Sequence, residues 1–203
     1  MSYTYSNDEL LDGVAAEVVI CTKCDLWKKR NKAVPGIGKT NAAILLIGEA
    51  PGQSEDNVGE PFVGSAGKFL DELLAEIELT RKDVFITNIV KCRPPENRDP
   101  QTNEIETCTP YLNRQLGIIQ PKFIITLGKH STSYIFSKAS LIFRSISQAR
   151  GKVYETSLLG MKIIVFPTFH PAAALYSAQY KTQLLEDFKQ IGNELLKRGL
   201  IDR

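Results

Sequence analysis

Four short apolar runs constrain the fold of this chain more than any other feature. Residues 42–47 (AAILLI), 84–89 (VFITNI), 123–127 (FIITL) and 162–166 (KIIVF) are each strand-length, and Gly48, Gly128 and Pro167 close three of them. Near-continuous apolar strands are buried on both faces, and the segments between these runs carry helical periodicity. Phe69, Leu70, Leu73, Leu74 and Ile77 mark one face of a helix over residues 65–79. Further helices are expected over residues 101–116 and 130–136, and the last, over residues 180–197, is amphipathic through Leu184, Leu185, Phe188, Ile191 and Leu195. The alternation predicts an α/β three-layer sandwich: a central, largely parallel four-stranded sheet flanked by helices. No repeat, low-complexity tract or linker interrupts the 203 residues, so one domain is expected across the whole chain.

In such sheets ligands bind beyond the carboxyl ends of the strands. The segments there are the least ordinary in the sequence. Residues 48–67 contain Gly48, Gly52, Gly59, Gly64 and Gly67 together with Glu49, Glu55, Asp56 and Glu60. The glycine spacing matches neither common nucleotide loop, and the carboxylates would repel a phosphate. Loops longer than about 12–15 residues are usually functional or disordered, and Phe62 and Val63 argue against disorder. Asn88 ends the second run, where its amide suits the edge of a planar amide ligand such as a pyrimidine, although turn chemistry alone also favours asparagine there. His170 follows the fourth run, and a histidine there can stabilise developing negative charge or donate a proton. His130, opening a helix after Gly128, reads as structural. Residues 92–100 carry three prolines and are expected to be irregular.

No apolar run approaches the roughly 18 residues of a membrane span, and the amino-terminal residues 1–11 are polar and acidic, without the basic start and apolar core of a signal peptide. A soluble, cytoplasmic protein without a membrane partner is expected. Four cysteines in an intracellular chain of this size are not a disulfide framework. Cys21 and Cys24 are separated by two residues, so both sulfurs reach one metal ion or cluster, whereas Cys92 and Cys108 are separated by fifteen. Zinc more often uses two short-spaced pairs, and an iron–sulfur cluster accepts the less regular spacing. The spacing leans modestly towards iron–sulfur. The net charge is only +2, too small to indicate a nucleic-acid partner by itself. It is an average: acidic residues in the 48–67 loop offset basic ones around the cysteines.

These residues carry a family resemblance. Gly48-Glu49-Ala50-Pro51-Gly52, with Glu55-Asp56, Gly59-Glu60-Pro61-Phe62-Val63-Gly64 and Ala66-Gly67, resembles the first signature of the family 4 uracil-DNA glycosylases. Thr87-Asn88-Ile89-Val90-Lys91-Cys92-Arg93-Pro94-Pro95, with Asn97-Arg98 and Pro100, is similar to the second, and Phe166-Pro167-Thr168-Phe169-His170-Pro171 to the third. The cysteine spacing matches that family's four ligands to a [4Fe–4S] cluster, which implies Cys21, Cys24, Cys92 and Cys108 as ligands.

The resemblance implies hydrolysis of the bond joining uracil to deoxyribose in DNA, after the base has been flipped from the stack. Phe62 would stack on the base and Asn88 would pair with its edge. Ala50 and Gly52 would line the pocket, and Glu55 would help exclude thymine's methyl group. His170 would hydrogen-bond a uracil carbonyl, and Glu49 would hold the attacking water and stabilise the cationic sugar. Lys91, Arg93 and Arg98 would meet DNA phosphates. Residues 171–176, with Pro171, Ala172, Ala173 and Leu175, would enter the helix as a wedge. No amine nucleophile for a lyase step is evident, so the enzyme is expected to be monofunctional. Single- or double-stranded DNA is the expected partner of a monomer, and a sliding-clamp contact is conceivable. The rival readings are a noncatalytic nucleic-acid-binding iron–sulfur protein, a zinc protein, and a relative that traps uracil covalently. The last carries a histidine-containing insertion after the first signature, which this chain lacks.

Overall fold

The computed structural model describes residues 5–202; the first four residues of the polar amino-terminal stretch and Arg203 lie outside them. A helix not anticipated from the sequence opens the chain, α1 (Asn7–Val19), capped reciprocally by Ser6 and Glu9: the Glu9 N–H donates to Ser6 Oγ at 3.2 Å and the Ser6 N–H to Glu9 Oε2 at 2.7 Å. A short edge strand β1 (Ile37–Gly38) precedes the first long strand, β2 (Ile44–Gly48). The 48–67 loop is not wholly irregular, because it holds the short helix α2 (Gln53–Val58) and leads into α3 (Ser65–Ala75). Then follow β3 (Phe85–Asn88), α4 (Thr102–Ile119), β4 (Phe123–Leu127), α5 (Lys129–Lys138) and the one-turn α6 (Ile146–Ala149). A hairpin of β5 (Tyr154–Leu158) and β6 (Met161–Thr168), and the long helix α7 (Ala178–Lys197), complete the chain.

The sheet has six strands, in the order β1-β3-β2-β4-β6-β5, rather than the expected four. The four expected strands form its parallel centre, with Leu46 beside both Ile86 and Ile125, and Ile125 beside Phe166. The additional strands are antiparallel edges. The two-residue β1 is too short for a pattern, and β5 shows only one-sided alternation of buried and exposed residues. Pro167 does not stop β6, which pairs with β4 as far as Thr168. On its other side β5 reaches only to Val165, so the missing N–H of Pro167 leaves no ladder partner unpaired there.

Strand alternation sends successive residues to opposite faces. Leu45, Ile47, Ile124 and Val165 pack against α1, α4 and α5 on one face. Ile44, Leu46, Ile86, Ile125 and Phe166 pack against α3 and α7 on the other. These two apolar layers are the expected sandwich. They fix the carboxyl ends of β2, β3, β4 and β6 along one rim, where Gly48, Asn88, Leu127 and Thr168 stand.

Two helix glycines measure how tightly this scaffold is packed. A Cβ on Gly67 would stand 1.6 Å from the Phe62 carbonyl oxygen, whereas Gly13, on the exposed face of α1, has nothing within 4 Å. In urea unfolding we expect Gly67→Ala to cost about 3 kcal/mol or more, and Gly13→Ala to gain roughly 0.5–1 kcal/mol.

Candidate base-binding site and four-cysteine site

A cavity of about 350 Å³ opens on the carboxyl rim of the sheet, lined by residues of all three rim loops singled out in the sequence, among them Glu49, Phe62, Asn88 and His170. Ala50, Gly52, Glu55, Arg98 and Ala172 also line it. Gly48 makes this convergence sterically feasible: a Cβ there would stand 2.3 Å from Asn88 Oδ1 and 2.7 Å from Phe62 Cζ. Phe62 and His170 stack with ring centroids 5.5 Å apart and planes 26° apart. Asn88 is buried, and its Oδ1 has no hydrogen-bond partner within the protein. A buried unpaired acceptor is costly, so this oxygen is available to a donor that enters the cavity.

His170 is set up as a neutral donor. The Ala172 N–H donates to His170 Nδ1 at 3.2 Å, which places the ring proton on Nε2. Burial pushes the imidazole down to about 4, with the Glu55 charge opposing only in part. Burial acts on Glu49 in the opposite sense: it lifts the carboxyl above its ordinary value, while the charge of His130 opposes the rise. His130 is therefore not merely structural. Its Nε2 lies 3.8 Å from Glu49 Oε2 and 3.1 Å from Asp99 Oδ2, and Lys129 holds the same Asp99 oxygen at 2.7 Å. A histidine at the start of a helix gives no sequence signal of this; only its position after the rim end of β4 does.

Glu55 lines the cavity, and its carboxylate also accepts the N–H groups of Gly52 at 3.1 Å, Val63 at 2.8 Å and Gly64 at 2.9 Å, which staples the loop. One expected role needs correction. Lys91 does not face DNA: it is 1% exposed, with its ammonium turned inwards onto Asn88, Thr87 and Gln115. The apolar, cysteine-lined surroundings of its backbone leave its side chain no route to solvent. Arg93 and Arg98 stay near the surface, Arg93 donating to Asn97 at 2.7 Å and Arg98 paired doubly with Glu104 at 2.9 and 2.6 Å. Pro171–Leu175 forms a tight 3-10 turn beside the cavity, with Leu175 50% and Tyr176 88% exposed.

The four cysteines surround a second, narrow cavity with Trp27, Arg30 and Tyr111. Cys21 follows α1, Cys24 opens a 3-10 turn, Cys92 follows β3 and Cys108 lies on α4. Arg30 donates to Cys92 Sγ at 3.0 Å, and the Lys91 N–H to Cys108 Sγ at 3.2 Å. None is in a disulfide, and burial pushes the Cys108 thiol up to about 12. Four thiols in an apolar pocket with sulfur-directed donors suit a cationic metal group that holds them as thiolates. At the rim, Glu49, Asp99 and His130 bring one ligand atom each within 4.8 Å of one another.

Fold and site together define an α/β protein with a cavity at the parallel-sheet rim, where an aromatic ring, a buried amide and a neutral imidazole meet, and with a second, thiol-lined cavity. The profile of the uracil DNA glycosylase superfamily matches residues 35–191, and the chain belongs to that superfamily. Its relatives place it in the type-4 branch. The chain is 56% identical over 191 residues to the type-4 uracil-DNA glycosylase of Saccharolobus solfataricus, covering 94% of this chain and 88% of the relative. It is 50% identical over 184 residues to that of Archaeoglobus fulgidus, covering 91% and 92%, and 39% identical over 197 residues to that of Thermotoga maritima, covering 96% and 100%.

The His170 environment gives a direct check. In an NMR titration of the imidazole we expect a midpoint near 4, with the proton of the neutral ring on Nε2. A midpoint near the ordinary 6.5 would contradict the buried, neutral donor.

Proposed function

We infer that this protein hydrolyses the N-glycosidic bond of a flipped-out uracil in DNA and leaves an abasic site for base excision repair. The observation that carries this reading is the meeting of Glu49, Phe62, Asn88 and His170 around one rim cavity. A flipped uracil stacks on Phe62 and gives its ring N–H to the unpaired Asn88 Oδ1. Cytosine carries no N–H at that ring position and presents an amino group at its edge, so it mismatches this asparagine. As the bond from C1′ to the base nitrogen breaks, electrons pass into the base and negative charge gathers on its carbonyl oxygen. His170 Nε2–H stabilises that charge, and being neutral beforehand it need not give up a proton. Glu49, half-buried at the cavity wall, holds the attacking water and accepts its proton as the oxygen bonds to C1′. The carboxylate also offsets the cationic character of the sugar.

Glu55, which lines the cavity and staples its loop, helps the cavity wall to exclude thymine's methyl group. Arg93 and Arg98 meet the DNA backbone, and the 171–176 turn, with Leu175 and Tyr176 outermost, fills the space left by the flipped base. Cys21, Cys24, Cys92 and Cys108 hold a [4Fe–4S] cluster. When bound, it supplies iron–thiolate bonds that tie α1, the segment after β3 and α4 into one unit. Among the described residues, no helix is long and apolar enough to cross a membrane. We propose that the protein works as a monomer inside the cell, on chromosomal DNA.

The test is release of uracil from DNA followed by detection of abasic sites. We expect activity in the unmodified protein and a fall of roughly 10²–10³-fold in kcat for His170→Ala; a protein that releases no uracil overturns the reading. The purified protein is expected to be brown, with iron and acid-labile sulfide in equal amounts. A colourless zinc protein would replace the cluster assignment.

The pH profile gives a separate check. Glu49 must be ionised to act, and burial raises its pKa, so the acid limb of kcat should lie above the ordinary glutamate value of 4.5. Removing the opposing charge with His130→Ala should move that limb further upwards. A limb that stays in place would separate His130 from Glu49.

A further inference from the structure

Lys91 heads the fully buried side chains by size among the described residues. Burying an ammonium is expensive, and a residue needed only to fill space here would be apolar. Its surroundings show what the charged end does. The Lys91 main chain belongs to the four-cysteine site: its N–H donates to Cys108 Sγ at 3.2 Å, and Cys92 is the next residue. Its side chain turns back towards the rim. Nζ donates to the Asn88 carbonyl oxygen at 2.8 Å, to Thr87 Oγ1 at 2.5 Å and to Gln115 Oε1 at 2.8 Å, so all three ammonium protons are placed.

The acceptors come from two elements. Thr87 and Asn88 are the last residues of β3. Gln115 lies on α4 with Cys108, two helical turns further along. Gln115 and Thr87 are themselves anchored, both donating to the Pro35 carbonyl oxygen, at 2.8 and 2.9 Å. One lysine thus joins the helix and the loop that carry Cys108 and Cys92 to the backbone of the asparagine whose side chain enters the rim cavity.

We propose that Lys91 is a positioning residue that transmits the anchorage of the four-cysteine site to Asn88 and so fixes the amide that reads the base. The proposal rests on the base-reading role given to Asn88 above. It gives the metal site a part in recognition, through the main chain of β3, without any contact between that site and the base. The side-chain amide of Asn88 makes no compensating bond through Oδ1, so its aim depends on the backbone beneath it.

The test compares Lys91→Met, Lys91→Gln, Asn88→Ala and the double variant Lys91→Met/Asn88→Ala, each as the iron-loaded protein. Three quantities are read: iron content with visible absorbance, amide hydrogen exchange along the chain, and kcat and KM on uracil-containing DNA. We expect Lys91→Met to retain iron, to speed exchange selectively over residues 85–91, and to lower kcat roughly 10–100-fold with KM nearly unchanged. Lys91→Gln keeps one donor in reach of the Asn88 carbonyl and should recover part of the loss. The double variant should be no worse than Asn88→Ala alone, because both changes act through one amide.

Full kcat in Lys91→Met, losses that multiply in the double variant, or exchange raised equally across all strands would overturn the proposal. So would failure of both single Lys91 variants to fold, since Lys91 would then hold the fold and not the asparagine. If the unmodified protein releases no uracil, the function itself is wrong, and the exchange pattern still reports whether Lys91 steadies β3.

Discussion

The site depends on holding one aromatic residue in a backbone conformation that it would not choose. Phe62 has φ 56°, in the left-handed region, where a bulky side chain costs on the order of 1–3 kcal/mol. The surrounding groups hold it there. Arg81 donates to the carbonyl oxygens of Phe62 and Pro61, the latter at 2.9 Å, and is itself held by Asp71 at 2.6 Å. Glu55 collects the next two N–H groups, those of Val63 and Gly64. Gly67 lets α3 begin directly against the Phe62 carbonyl, and Gly48 lets the ring lie over the end of β2. The turn is strained so that the ring lies flat beside His170, and the glycines, Glu55 and Arg81 are the means of keeping it so.

The same closeness sets the chemistry. Removing water from a cleft penalises every charge in it, and the two groups proposed for catalysis respond in opposite ways. His170 loses its proton more readily and stays neutral, so it can donate to a base without first being a cation. Burial pushes Glu49 towards its neutral form, and Lys129 and His130 on α5 oppose that push. Lys129 and His130 also gather Asp99, from the segment after β3, against the same wall. The Glu49 carboxylate thus has a charged backing that spans two strand ends.

Much of this was legible in the sequence, and the omissions have physical causes. The four central strands announced themselves because strands buried on both faces cannot hide their apolar composition. The edges did not: β5 is half-buried on one side and exposed on the other, and its two-residue connection to β6, Leu159-Gly160, has the usual glycine second but a leucine first, although both take positive φ. The α1 helix buries only the stripe Leu11, Val14 and Val18, too thin to stand out among polar neighbours. The loops that meet at the rim cavity could be singled out because topology dictates where ligands bind. Lys91 was misjudged because a charged side chain reads as solvated, and only tertiary structure shows that its partners are a backbone carbonyl and buried side chains.

The same lesson resolves the small net charge. Carboxylates of the 48–67 loop, which on paper should repel DNA, are spent inside the protein. Asp56 is 1% exposed and accepts the Asn31 N–H at 2.9 and 3.1 Å, and Glu55 serves the loop backbone. A carboxylate bonded to backbone amides has its charge spread over fixed dipoles and presents less of it to an approaching phosphate. Arg98 is likewise tied to a buried Glu104, so its contribution to DNA affinity is smaller than a free arginine would make. On the proposed reading, selectivity rests on the rim cavity, with its unpaired amide and neutral imidazole. An enzyme that must sample much ordinary DNA for a rare base is served by weak attraction outside the cavity and demanding geometry within it.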